Sequence, residues 1–571
     1  MFYTIAVALP ILLLGLVEIV LRLVGFGHSY PLFVQSEQFD GYMQPNPSVI
    51  NRYFPDPSAA PKVSPDTVYF KQQKAENSFR IVIQGGSSAA GFPYGRFGSL
   101  QGMLEQRFKR LYPNKNIEII NTAMAAVNSY TLLDFVDEVI AIKPDLVLIY
   151  AGHNEYLGVM GAGSTFAAKG GRFATLSYLW LKDLKLYQLL QTSLYKLTQT
   201  QQHSAMNERT LMERVAKGKS IALDSDTYQL GKVQFAENLG AILARYQAIN
   251  IPVMVGNLVS IEKDMQPFSS VGVKADLPEL TAYEQGMESL ASGDHKGALE
   301  ALTLAKDMDQ MRFRAPSEFN TIIEDKVDEF SNANLVDVEA KLRSDSTDGI
   351  LGYKHLLEHV HPTKRGYFLL AEAFAEAIEQ QGYLGPKEVY SAQRAWQDTP
   401  VTELNSAYAD LKIKQLTSGY PFRAESIPLS APDNSTFLYP FLMKRVNNED
   451  WLAIQYELQQ AYMANDNFKE AARVAGVIAD ALPNSIKSLG LAGQLYMKLS
   501  DFDMAIYYQK KALSLEPTDL NSQLNLAHSL FLTKQFDASI ALLKQAQQQQ
   551  PNNVRIQFFI DRVTAGARDA K

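Results

Sequence analysis

Hydrophobic and polar positions divide the chain into stretches with different periodicities. Phe2 to Phe26 is nearly continuous apolar sequence in which only Glu18 and Arg22 carry charge. A bilayer core is crossed by roughly 20 such residues in a helix, so the pattern predicts a membrane anchor over residues 1–26, with Glu18 and Arg22 paired at helical spacing. Residues 27–77 are rich in Pro, Asn, Ser and aromatics, including Pro45-Asn46-Pro47 and Pro55-Asp56-Pro57, and read as an extended segment. From residue 78 short apolar runs alternate with amphipathic stretches. Strands are predicted at Ile81–Ile83, Ile117–Asn121, Leu146–Tyr150 and Ile251–Gly256, and helices at Phe97–Leu111, Tyr130–Ile142 and Asn238–Ala248. Such alternation implies right-handed crossovers and a parallel sheet covered on both faces, an α/β domain over residues 78–385.

Two helical insertions interrupt that domain. One, residues 161–230, contains Leu176–Leu190, with leucines and aromatics at helical spacing that pack on the domain and shape a pocket. The other, residues 280–307, reads as a single helical hairpin with Gly286, Ala298 and Ala305 at its crossing. A linker, residues 386–440, leads to a repeat array in residues 441–571. Pro483, Pro517 and Pro551 recur with a constant period, as do Phe468, Phe502 and Phe536. The period matches the tetratricopeptide repeat of about 34 residues. Ala471 and Ala505 recur likewise, with Tyr462 and Tyr496 on the first helices. An array of this kind is an all-α solenoid whose concave face suits a partner protein.

Composition narrows the chemistry. The chain of 571 residues is 46% hydrophobic and 20% charged, too long for one core and too apolar for disorder. A net charge of -7 offers no broad basic field for phosphates, so no nucleic-acid partner is expected. With no cysteine, thiol nucleophiles, disulfides and thiolate metal sites are excluded.

Candidate chemistry begins at Gly85-Gly86-Ser87, where a buried strand breaks into a turn before a helix. The glycines allow a sharp turn, and amide dipoles of the following helix point at an oxyanion forming beside the Ser87 hydroxyl. Ser87, Asn121 and Gly152-His153-Asn154-Glu155 each lie at or just past a strand end, where ligands of parallel sheets bind. A serine needs a base, and His355, His359 and His361 cluster in one region, with Pro362 holding His361 in a loop. Glu358, three residues before His361, is placed to hold the imidazole tautomer. The cluster could also be a plain surface group or a metal site; no metal and no cofactor is expected. Arg312 and Arg314 are candidates for cationic contacts to an anionic substrate or for salt bridges.

Gly85–Gly91, Asn121–Ala126, Gly152–Glu155 and Glu358–Pro362 fall in the order of the four blocks of the SGNH (GDSL-like) hydrolases, which this region resembles. The likeness is greatest to membrane-anchored bacterial members with Gly-Gly-Ser in place of Gly-Asp-Ser. It implies a three-layer flavodoxin-like fold, Ser87 as nucleophile, His361 as base with Glu358 as its acid, and an oxyanion hole from the Ser87 and Ala126 amides and the Asn154 side chain. Gly86, Ala126 and Glu358 depart from the usual Asp, Gly and Asp. The expected activity is hydrolysis of a small acyl ester, with an acylated envelope glycan as the substrate class. The alternatives are an O-acyltransferase using the same Ser/His site and an inactive scaffold whose repeats bind a partner. With the anchor and the resemblance, the soluble part is expected outside the cytoplasm.

Overall fold

The computed structural model describes residues 2–57, 60–164, 171–198, 212, 219–273 and 276–569. Among them the chain forms two sheets. The segment expected to be extended supplies β1 (Phe33–Gln35), β2 (Tyr42–Pro45) and β3 (Phe70–Lys71), which pair antiparallel. Its aromatics account for the difference. Phe33, Tyr53 and Phe70 are buried against the α/β core, so the prolines mark turns of a packed cover.

β4 (Ser78–Gly85), β5 (Asn116–Asn121), β6 (Leu146–Tyr150), β7 (Val253–Gly256) and β8 (Ala333–Val336) form a parallel sheet of order β5-β4-β6-β7-β8. Every residue of β6 is buried, as continuous apolar strands of a two-sided sheet must be. Helices Ser129–Ala141 and Asp226–Gln247 pack together, as do Leu100–Leu111 and Lys364–Gln380, giving the three-layer arrangement expected. Strand order reverses beside β4, with β5 on one side and β6 on the other, so a crevice opens at their carboxyl ends.

The expected membrane anchor over residues 1–26 is not supported: no helix among the described residues is long and apolar enough to cross a membrane. A helix does form over Phe2–Leu23. The portion before Glu18 supplies about 24 Å of uncharged helix, against roughly 30 Å of bilayer hydrocarbon. Its last turns are committed to protein. Glu18 pairs with Arg22 at 2.7 Å and accepts the backbone N–H groups of Lys185 and Leu186 at 3.0 and 2.8 Å, capping the helix Lys185–Thr198.

The first insertion folds into helices Gly171–Leu181 and Lys185–Thr198; residues 165–170, 199–211 and 213–218 of it lie outside the described residues. The second is the expected hairpin, Pro278–Ser292 with His295–Met308. A Cβ at Gly286 would lie 2.6 Å from Leu302, so glycine permits the crossing.

The stretch expected to be a linker forms helices Ala392–Gln397 and Glu403–Leu416. Ala395 and Val401 enter the α/β core and Leu404 enters the repeat core, so this segment cements the two. The repeats are paired helices, Trp451–Ala464 with Phe468–Ala481, Ile486–Lys498 with Phe502–Leu515 and Leu520–Leu532 with Phe536–Gln549, then Val554–Asp569. Ala471 and Ala505 are fully buried where paired helices meet. The array docks on the helix Leu100–Leu111 through Arg110, whose guanidinium bonds both carboxylate oxygens of Asp501 at 2.7 and 2.5 Å.

Candidate active site

β4 delivers Gly85 against the end of β6, where a Cβ would sit 2.4 Å from the Tyr150 carbonyl oxygen. Only glycine allows that approach. The chain turns at Gly86, and Ser87 opens a four-residue helix, Ser87–Ala90, closed by Gly91 in the left-handed region at φ 95°. Gly86, Ser87, Ala126 and Asn154 are all part-exposed in otherwise buried surroundings, so the crevice at the strand ends reaches solvent there.

The histidine loop is a closed turn. Leu356 and Pro362 bridge antiparallel, and the Leu357 N–H donates to the His361 carbonyl at 2.8 Å. Glu358, His359 and His361 are thereby held at its tip, all buried. The Glu358 carboxylate receives His361 Nδ1 on Oε1 and His359 Nδ1 on Oε2. An ionised carboxylate only accepts, so each Nδ1 carries hydrogen and His361 Nε2 presents a lone pair. That lone pair lies 2.7 Å from Ser87 Oγ. Burial pushes the His361 imidazole down to about 3, so the ring is neutral at physiological pH. The Phe92 ring covers it at 4.6 Å between centroids.

These three side chains are also the one grouping among the described residues whose donor atoms, within 4.8 Å of one another, could hold a cation. They would hold a cation only with both Nδ1 atoms free of hydrogen, whereas the hydrogen-bonded arrangement has hydrogen on each.

Asn154 and Ala126 are joined by the loop that follows β6. Gly158 N–H donates to the Asn154 carbonyl and Val159 N–H to the Ala126 carbonyl, both at 2.8 Å. Ala126 adopts φ 64°, the left-handed backbone that glycine takes without strain. A Cβ on Gly86 would lie 3.2 Å from Asn154 Nδ2, which places that amide directly over the turn.

Other candidates have structural duties. Asn121 is buried, donating to the Ala89 carbonyl at 3.0 Å and accepting from Ala123 N–H at 2.9 Å, so it braces the Ser87 turn from behind. His153 Nδ1 accepts the Ala315 N–H at 3.2 Å. Arg314 pairs with Asp309 at 2.9 Å, and Arg312 donates to the Ile221 carbonyl at 2.9 Å beneath the Tyr228 ring. Both arginines are buried; Arg312 ties the two insertions together, and Arg314 also donates to the Ile261 carbonyl at 3.1 Å in the loop after β7. His355 faces Asp345 at 3.0 Å, apart from the Ser87 site. Sequence reasoning missed Ser88, whose hydroxyl donates to the Val360 carbonyl at 3.0 Å, because nothing local distinguishes it from a capping serine.

A tetratricopeptide repeat model matches residues 496–557. This part of the chain carries tetratricopeptide repeats. No curated protein sequence matches the chain. Among solved structures, a lipase/acylhydrolase from Enterococcus faecalis is 14% identical, covering 55% of this chain and 100% of its own, with a TM-score of 0.27. The esterase EstA from Pseudoalteromonas sp., inhibited by monoethylphosphonate, is 14% identical over 54% of this chain and 98% of its own, with a TM-score of 0.24. The first tetratricopeptide domain of Spaghetti, bound to an HSP90 peptide, is 15% identical over 20% of this chain and 90% of its own, with a TM-score of 0.19.

Proposed function

We propose that the chain is a serine esterase acting on a small acyl ester. One observation carries the reading: His361 Nε2 stands 2.7 Å from Ser87 Oγ while its Nδ1 is held by the buried Glu358 carboxylate. A neutral imidazole in that tautomer takes the hydroxyl proton as Ser87 attacks the ester carbonyl. Glu358 then stabilises the imidazolium, offsetting part of what burial costs the charged ring. The tetrahedral oxyanion is received by the Ser87 amide at the helix start, the Ala126 amide and the Asn154 side chain. His361 returns the proton to the leaving alcohol, and water completes the cycle by the same route. An acceptor hydroxyl in place of that water would make the reaction a transfer.

The test is labelling of the full chain with a fluorophosphonate, which requires an activated serine and no knowledge of the substrate. Wild-type labelling that Ser87→Ala and His361→Ala both abolish is the expected result. A well-folded wild type that stays unlabelled would refute the esterase reading. The repeats, in our reading, add a protein-binding surface, a role supported by the model match over residues 496–557.

A further inference from the structure

Glu358 carries one more torsion than the aspartate usual in its place, and its second oxygen needs a donor once it is buried. The neighbouring imidazole supplies it. We propose that His359 is a positioning residue: its Nδ1–H holds Oε2 of Glu358 and thereby fixes the carboxylate that orients His361. The proposal rests on reading Ser87, His361 and Glu358 as the reactive triad.

Three observations carry it. His359 is buried, and its Nδ1 meets the carboxylate oxygen that His361 does not use. Its ring is walled by Phe268, Phe313 and Phe422, with centroids at 5.5, 5.9 and 5.7 Å, so it cannot swing away. Its backbone carbonyl accepts the Ile261 N–H at 2.9 Å, fixing the residue to the loop after β7. The wall draws on separate parts of the chain: Phe313 follows the hairpin insertion and Phe422 lies between the α/β core and the repeats.

The charged and titratable groups around the ring are Glu358, which it bonds, and His361, His153 and Arg314, the last already paired with Asp309. Burial and these neighbours keep His359 neutral, so it serves as a donor and adds no charge.

The test uses the full chain as wild type, His359→Leu, His359→Asn and Ser87→Ala. Fluorophosphonate labelling is followed against pH, together with turnover of a nitrophenyl acetate. Leucine fills the aromatic pocket without a donor, whereas the asparagine amide can stand where Nδ1 stood. We expect His359→Leu to label between about tenfold and about a hundredfold more slowly, with kcat reduced and KM nearly unchanged. Losing a donor makes the Glu358–His361 pair hold its proton more tightly, so the acid limb moves to higher pH. His359→Asn restores most of the rate. Equal rates for His359→Leu and wild type, or His359→Asn as slow as His359→Leu, would overturn the proposal. Should His359→Leu fail to fold, His359→Asn against His359→Gln decides, because glutamine cannot place its amide at the Nδ1 site. Wild-type labelling abolished by Ser87→Ala but untouched in the His359 variants defeats this proposal alone. An unlabelled wild type defeats the triad and this proposal together.

Discussion

The Ser88 hydroxyl donates to the carbonyl of Val360, 3.0 Å away and 272 residues along the chain. Ser88 follows Ser87 and Val360 precedes His361, so one buried bond ties the turn of the proposed nucleophile to the loop of its proposed base. Ser88→Ala leaves that carbonyl without its donor, at a cost of about 1–3 kcal/mol. It also lets the Ser87–His361 separation widen, and misplacement by about 1 Å can cost about a hundredfold in rate. Fluorophosphonate labelling of Ser88→Ala should therefore slow at least tenfold by this order-of-magnitude reasoning, with the fold retained by circular dichroism. Unchanged labelling would show that the loops hold each other by other means.

Gly86 sits where the geometry favours the absence of a side chain. Its φ of -89° is open to any residue, but a Cβ would press on Asn154 Nδ2 at 3.2 Å. Gly86→Ala should displace the Asn154 amide by a few tenths of an ångström while leaving the core untouched. Loss of one oxyanion donor costs about 100-fold to 1,000-fold in kcat, and partial displacement costs less. The expected result is a reduced kcat at nearly unchanged KM and melting temperature. A kcat equal to that of wild type would remove Asn154 from the oxyanion site.

How much of this could be read beforehand depended on what each segment had to bury. β4 and β6 are buried on both faces, so Ile81–Ile83 and Leu146–Tyr150 announce themselves as apolar runs. β8 escaped because it is an edge strand, Ala333-Asn-Leu-Val336, with only Val336 buried and no run to detect. The repeats were legible because Ala471 and Ala505 must be small where helices touch. Residues 27–77 and 386–440 were misread since their prolines and polar residues concealed aromatics and aliphatics that pack on distant elements. That Ser87, Asn154 and His361 come near one another follows from strand ends and a proline. The contact of His359 with Glu358 depends on side-chain torsions at one carboxylate, which no spacing encodes.

Arg110 is one of the ionic ties that attach the repeat array to the α/β domain. Its guanidinium bonds Asp501 through two nitrogens and reaches Asp398 at 2.8 Å, with all three side chains nearly buried. Arg394 also reaches both carboxylates, Asp501 at 2.5 Å and Asp398 at 3.1 Å, so Arg110→Ala leaves them under-compensated and costs less than the about 3–5 kcal/mol of a buried pair broken outright. The loss should appear as release of the repeats, read as new proteolytic cleavage within residues 386–440 and an earlier unfolding transition. Arg110→Ala combined with Asp501→Asn should recover part of it, since one under-compensated charge is then gone. A double variant no more stable than the single would mean that the docking energy lies in the apolar contact of Leu404 and its neighbours.

His153 is buried, and burial pushes its imidazole down to about 3, with the neighbouring His361 and Lys306 acting in the same direction. In the unfolded chain the same ring titrates near 6.5. As pH falls through that value the unfolded state takes up a proton that the folded state refuses, so stability declines on acidification by about 1.4 kcal/mol per pH unit from this residue alone. The contribution is absent above about pH 6.5 and reaches its full slope between about pH 6 and pH 4. His153→Asn keeps an acceptor for the Ala315 N–H and cannot titrate. Denaturant unfolding of wild type and His153→Asn at pH 7, 6 and 5 should thus give curves whose stability difference shifts in favour of the variant as pH drops. A difference that stays constant would mean that His153 is already charged in the folded protein.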